Sequence, residues 1–130
     1  MINWNTIGAV ALGAAIGGVL RYLIGQAFLQ RFGPGFPYGT LFINVSGSFA
    51  IGIVAQLALS QAGGMSPMVR LFTATGVLGG YTTFSTFSLE AITLMGEGGL
   101  LPSLLYTGAS VILGFLGASL GVLLTRIVAR

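Results

Sequence analysis

Apolar residues in this chain gather into four long runs, separated by short stretches rich in glycine and proline. The runs cover residues 6–29, 38–60, 68–95 and 100–125. Each is long enough for a helix to cross a bilayer, whose hydrocarbon core takes about 20 residues. None keeps the period-two alternation that a membrane β-barrel strand requires. The connectors "RFGPGFP" (31–37), "QAGGMSP" (61–67) and "GEGGLLP" (96–102) all carry turn-forming residues. Being short, they make neighbouring helices antiparallel, and four crossings leave both termini on one side. The pattern predicts an all-α membrane protein, a single four-helix transmembrane domain over residues 1–130.

Polar residues interrupt the runs at a few places. Arg21 lies in the first, and Asn44, Ser46, Ser48 and Gln56 lie in the second; the fourth has no charge. The third contains "GGYTTFSTFSLE" (79–90), with hydroxyls at Thr82, Thr83, Ser85, Thr86 and Ser88 around Phe84 and Phe87. Gly79 and Gly80 admit two readings. With Gly76 they form a small-residue face for close helix packing. Followed by two threonines they are also a weak helix interior, where a break is tolerated if the backbone is buried in protein or lines a cavity. Unwound carbonyls at membrane depth are one way of binding Na⁺.

Phe84 and Phe87 are three apart and share a helix face; Ser85 and Ser88 form a second stripe beside them. Any one of these hydroxyls can satisfy itself on the carbonyl four residues back, and any one ring can simply fill space. Five hydroxyls in seven residues exceed what that explanation needs. Phenyl rings have a positive edge. Ring edges beside O–H donors, without a fixed positive charge, suit a small anion. Asn44 offers an N–H donor from the second run, and Tyr106 and Ser110 offer donors from the fourth, although Asn44 also suits a plain interhelical hydrogen bond. Arg21 and Glu90 are charges inside apolar runs, which marks them for function. Arg21 can alternatively snorkel to the interface, and Glu90 can pair with an arginine or line a watery entrance.

Composition narrows the function classes. The chain is 55% hydrophobic and 5% charged, so it lacks the material for a water-facing charged surface. It has no His, Cys or Lys, and only Glu90 and Glu97 as carboxylates, which leaves almost nothing for acid–base or metal catalysis. A net charge of +3 is too sparse for nucleic acid. Residues 7–20 resemble a signal-peptide core, but no basic residue precedes them, so an uncleaved first helix is expected. Arg70, Arg126 and Arg130 on one side stand against Arg31 and Arg21 on the other, a weak instruction for orientation that allows insertion either way up.

Three stretches, "GGVLRYLIG" (17–25), "GTLFINVSGSF" (39–49) and "GVLGGYTTFSTFSLE" (76–90), resemble the signatures of the Fluc, or CrcB, family of fluoride channels. The likeness extends over essentially the whole chain, with Tyr81 standing where many relatives carry an aliphatic residue. The resemblance implies an antiparallel, dual-topology homodimer in a prokaryotic cell membrane, with two pores that leak toxic cytoplasmic fluoride outward. It implies that Phe84 and Phe87 approach fluoride by their ring edges and that Asn44 is the pore asparagine. It assigns Ser85, Ser88 and Ser110 to a hydroxyl track, with Tyr106 beside the pore, and Arg21 and Glu90 to the entrance. It also implies that the carbonyls of Gly79 and Thr82 from both subunits hold a structural Na⁺, neither transported nor catalytic. On that picture the glycine pair breaks the helix where sodium sits.

Two other readings compete. A small dual-topology, proton-coupled exporter of cationic compounds wants a carboxylate in its first span; here that span carries Arg21 and no acid. A purely structural membrane subunit would leave the Phe/Ser string unexplained.

Overall fold

The computed structural model describes residues 3–59 and 64–128. Ser60 at the end of the second run, residues 61–63 of the second connector, and Arg130 of the charge tally lie outside the described residues. Helix α1 (Trp4–Phe32) begins where the Asn3 side chain accepts the Asn5 N–H, and ends at Gly33. Gly33 has φ 75° and ψ −178°, a backbone region essentially reserved for glycine. Helix α2 (Tyr38–Leu59) follows the first connector.

The third run is not one helix. Ser66 caps α3 (Pro67–Arg70) by accepting the Val69 N–H, and a π-helical stretch (Leu71–Leu78) continues into α4 (Gly79–Tyr81). Thr82 and Thr83 are then extended, with ψ of 159° and 117°, before α5 (Phe84–Gly98) resumes. Helix α6 (Leu100–Val128) follows after Gly99 alone, so the expected connector over 96–102 shrinks to one residue at φ 87°. Pro102 sits in the first turn of α6, where its missing N–H costs nothing.

Three helices, α1, α2 and α6, are long and apolar enough to cross a membrane. They and the interrupted third element make this an all-helical, multi-pass membrane protein. Small residues let the helices approach closely. A Cβ at Gly13 or Gly17 of α1 would collide with backbone of the π-helical stretch, and one at Gly80 would collide with Ala14. Gly52, Gly117 and Gly121 do the same for α2 against α6. Without a hydrophobic drive between helices in lipid, such close backbone packing is what holds them together.

The outer surface along the helices is mostly apolar, with charges such as Arg31, Arg70, Glu97 and Arg126 exposed near helix ends, the inverse of a water-soluble domain. Among the described residues, the large hydrophobic side chains that are buried are Ile43, Phe87 and Tyr106. Leucines, isoleucines and valines along α1 and α6 face outward.

Candidate functional site

The break in the third element is built by competition for backbone groups. In a continuous helix the Thr83 N–H would go to the Gly79 carbonyl. It goes instead to Asn44 Oδ1 at 2.9 Å, and Asn44 Nδ2 donates to the Thr83 carbonyl at 3.1 Å. Likewise the Thr86 N–H, due to the Thr82 carbonyl, is taken by Thr83 Oγ1 at 3.3 Å, which caps α5. Gly79 and Thr82 thereby lose the N–H partners a helix would supply. The Thr82 hydroxyl meanwhile donates to the Leu78 carbonyl.

The third helix is broken within residues 79–83, as the sequence suggests, but at Thr82 and Thr83 and not at the glycine pair itself. Gly79 is helical (φ −65°, ψ −36°), and Gly80 packs on Ala14. The two readings of that pair divide: glycines supply the packing, and the threonines just after them supply the break. Gly47 of α2 makes room for it, since a Cβ there would collide with the Thr82 methyl.

Beside the break lies an open cleft of about 380 Å³, walled by Asn44, Ser48, Thr83, Phe84, Phe87 and Ser110 among others. The Phe84 and Phe87 rings are 5.7 Å apart at 45°; Phe84 is 79% exposed, while Phe87 is buried. Ser110 Oγ is buried and has no hydrogen-bond partner among the described residues. A buried hydroxyl without a partner costs on the order of 1–3 kcal/mol, so Ser110 Oγ has hydrogen-bonding capacity to offer at this wall of the cleft. Asn44 also retains one amide N–H beyond the one given to Thr83. Ser85 and Ser88 are not among the residues lining this cleft. Ser88 donates to the Phe84 carbonyl at 2.8 Å, and Ser85 Oγ lies 3.4 Å from Thr83 Oγ1.

Tyr106 is fully buried behind Phe87, with ring centroids 5.3 Å apart. Its hydroxyl donates to Glu90 Oε2 at 2.7 Å, and Thr40 Oγ1 donates to Glu90 Oε1 at 2.8 Å. Glu90 thus takes two hydroxyl partners, and no ion pair joins it to Arg21 among the described residues. Arg21 lines a separate cavity of about 390 Å³, and Glu90 lines one of about 590 Å³ under the first connector. Thr40 borders both of these, and Thr83 borders both the Arg21 cavity and the cleft. The three cavities are therefore neighbours, with Thr40 and Thr83 as polar walls between them.

Sequence reasoning missed Thr40 and left Thr83 out of the site. Thr40 carried a usable signal, lying one helical turn before Asn44 and so on the same face. Among the described residues no cluster of His, Cys, Asp or Glu could hold a metal. The neutral carbonyls of Gly79 and Thr82 fit a monovalent cation better than a divalent one, which wants anionic oxygens.

Residues 8–122 match the model of a family described as CrcB-like protein, Camphor Resistance (CrcB). The chain belongs to the CrcB-like family. Relatives agree over nearly their full length. A protein of Rhizobium meliloti named a fluoride-specific ion channel, FluC, is 52% identical over 94% of this chain and 97% of its own. Proteins of the same name from Trichormus variabilis and Agrobacterium fabrum are each 45% identical, covering 94% and 97% of this chain and 89% and 98% of their own. The break, the Asn44 clamp and the Phe84–Phe87 cleft of this CrcB-like chain all lie within the matched residues.

Proposed function

We propose that this chain is a fluoride-selective channel, passively releasing cytoplasmic fluoride across the cell membrane of a prokaryote. The carrying observation is the cleft in which the unpartnered Ser110 hydroxyl shares walls with Asn44, Phe84 and Phe87. Fluoride is small and tightly hydrated, so it enters only where donors replace its water. A fixed cation would hold it, whereas conduction needs sites it can leave. Hydroxyl, amide and ring edge are donors of intermediate strength, and Arg21 lies in the neighbouring cavity rather than in the cleft. The relatives' name, a channel rather than an enzyme, supports the same reading.

The working unit in this proposal is an antiparallel homodimer, each subunit crossing four times with the broken element as the third crossing. Phe84 at 79% exposure stands on the outside of a single chain, where a second copy would close the cleft. Among the described residues a Cβ at Gly79 would meet only the Ala74 carbonyl, at 3.9 Å, so that face of the break is open. The carbonyls of Gly79 and Thr82 would hold a structural Na⁺ there, two oxygens from each subunit. Bound, the ion would tie the two breaks together.

In liposomes the purified protein should pass fluoride without a proton gradient and largely exclude chloride. Phe84→Ile and Phe87→Ile should both lower the fluoride rate, because bulk is kept while the positive ring edge is lost. Comparable chloride flux, or fluoride movement that needs a proton gradient, would overturn the channel reading; transport of a cationic dye would favour the exporter. Reporters fused to the C-terminus should reveal both orientations, since the arginine tally is nearly even. One orientation alone would rule out an antiparallel dimer of this single chain.

A further inference from the structure

We propose that Tyr81 is a positioning residue for the helix break: its hydroxyl anchors one side of Thr82 and so sets how firmly the Thr82 carbonyl can hold a cation. This rests on the reading of Gly79 and Thr82 as sodium ligands. Tyr81 is the last helical residue before the break, and its hydroxyl lies 2.9 Å from Ser46 Oγ on α2. Ser46 spends its only proton on the Ile43 carbonyl at 3.2 Å. The arrangement that satisfies both contacts has Tyr81 donating to Ser46 while Ser46 donates to Ile43.

The consequence is a three-point fastening of the break to α2. Ser46 holds Tyr81, Gly47 receives the Thr82 methyl, and Asn44 binds both backbone groups of Thr83. Thr82 has no side-chain bond to α2 of its own, because its hydroxyl turns back to Leu78. The direction of its carbonyl is decided by the residues on either side. Asn44 fixes the Thr83 side and Tyr81 fixes the other. With the Tyr81 anchor gone, Thr82 keeps its bonds to the Leu78 carbonyl and its contact with Gly47. But α4 loses its one side-chain hydrogen bond to α2 among the described residues, so the Thr82 end can shift with α4 while Asn44 still fixes the Thr83 end.

Tyr81→Phe isolates this anchor cleanly. The ring that lies beside Gly47 is kept, and Ser46 still donates to Ile43, so no buried donor is orphaned. The full-length protein, with Na⁺ exchanged stepwise for a bulky organic cation, is followed by its thermal unfolding midpoint and by fluoride efflux from liposomes. Tyr81→Phe should raise the Na⁺ concentration giving half-maximal stabilisation by about threefold, the scale of one interhelical hydrogen bond in a membrane. At saturating Na⁺ its midpoint should converge on that of the wild type, which a general loss of packing would not allow. Ser46→Ala should give the same shift, the double variant no more than either, and Ser46→Thr, which keeps the hydroxyl, should restore the wild-type titration. A wild-type Na⁺ titration for Tyr81→Phe, or additive shifts in the double variant, would overturn the proposal. A wild type with no Na⁺ response would overturn it together with the sodium reading. Fluoride efflux by the wild type decides the channel reading separately.

Discussion

Asn44→Ala is expected to abolish most fluoride flux, by at least about tenfold, through collapse of the helix break rather than loss of a pore donor alone. Thr83 is buried, and Asn44 supplies partners to both its N–H and its carbonyl. Leaving two buried backbone groups unpaired costs on the order of 2–5 kcal/mol, and about 1.4 kcal/mol already shifts an equilibrium tenfold. The cheapest repair open to the Thr83 N–H is the Gly79 carbonyl, four residues back. Accepting it straightens the element and turns Phe84 and Phe87 away from Ser110. The variant should therefore retain its helical circular dichroism while losing flux, and the Thr83 amide should change its hydrogen-exchange protection. Wild-type flux in Asn44→Ala would mean that the break is held by something other than this clamp.

Gly80→Val is expected to have a large effect on folding. A Cβ at position 80 would lie 2.9 Å from Ala14 Cα and closer still to the Ala14 carbonyl oxygen, and both are backbone atoms that cannot swing aside. The interface between α1 and α4 would have to open. Overpacking of this kind costs about 1–3 kcal/mol or more, which should lower the unfolding midpoint in detergent by roughly 5–15 °C or prevent recovery of folded protein. Gly96→Ala is the matched control, since a Cβ there meets nothing within 4 Å among the described residues. It should be neutral or stabilising by about 0.5–1 kcal/mol, the ordinary gain of alanine over glycine in a helix. Gly80→Val melting like the wild type would show that the close approach to Ala14 is not needed.

Much of this protein is legible without coordinates, because a bilayer imposes its demands locally. A helix that crosses lipid must satisfy its own backbone and present apolar side chains over its whole length. The runs at 6–29, 38–60 and 100–125 therefore announce α1, α2 and α6, which extend only a few residues further at some ends. Polar groups in such runs are costly enough to be informative one by one. Asn44 and Ser110, singled out for that reason, line one cleft with Phe84 and Phe87, whereas Ser85, Ser88 and Tyr106 do not line it.

What the sequence could not determine is which polar group finds which partner, since that depends on residues brought together from far along the chain. "GGYTT" alone places a break somewhere within residues 79–83 and leaves open which residue takes it. The break falls at Thr82 and Thr83 because Asn44, 39 residues earlier, outcompetes Gly79 for the Thr83 N–H. Glu90 carries a charge that its own segment pairs with any arginine in reach. Only the meeting of α2, α5 and α6 gives it Thr40 and Tyr106 instead, 50 and 16 residues away. Helix and span are decided by neighbours a turn apart. The site is decided by competition among donors and acceptors that only the packed helices bring within 3 Å.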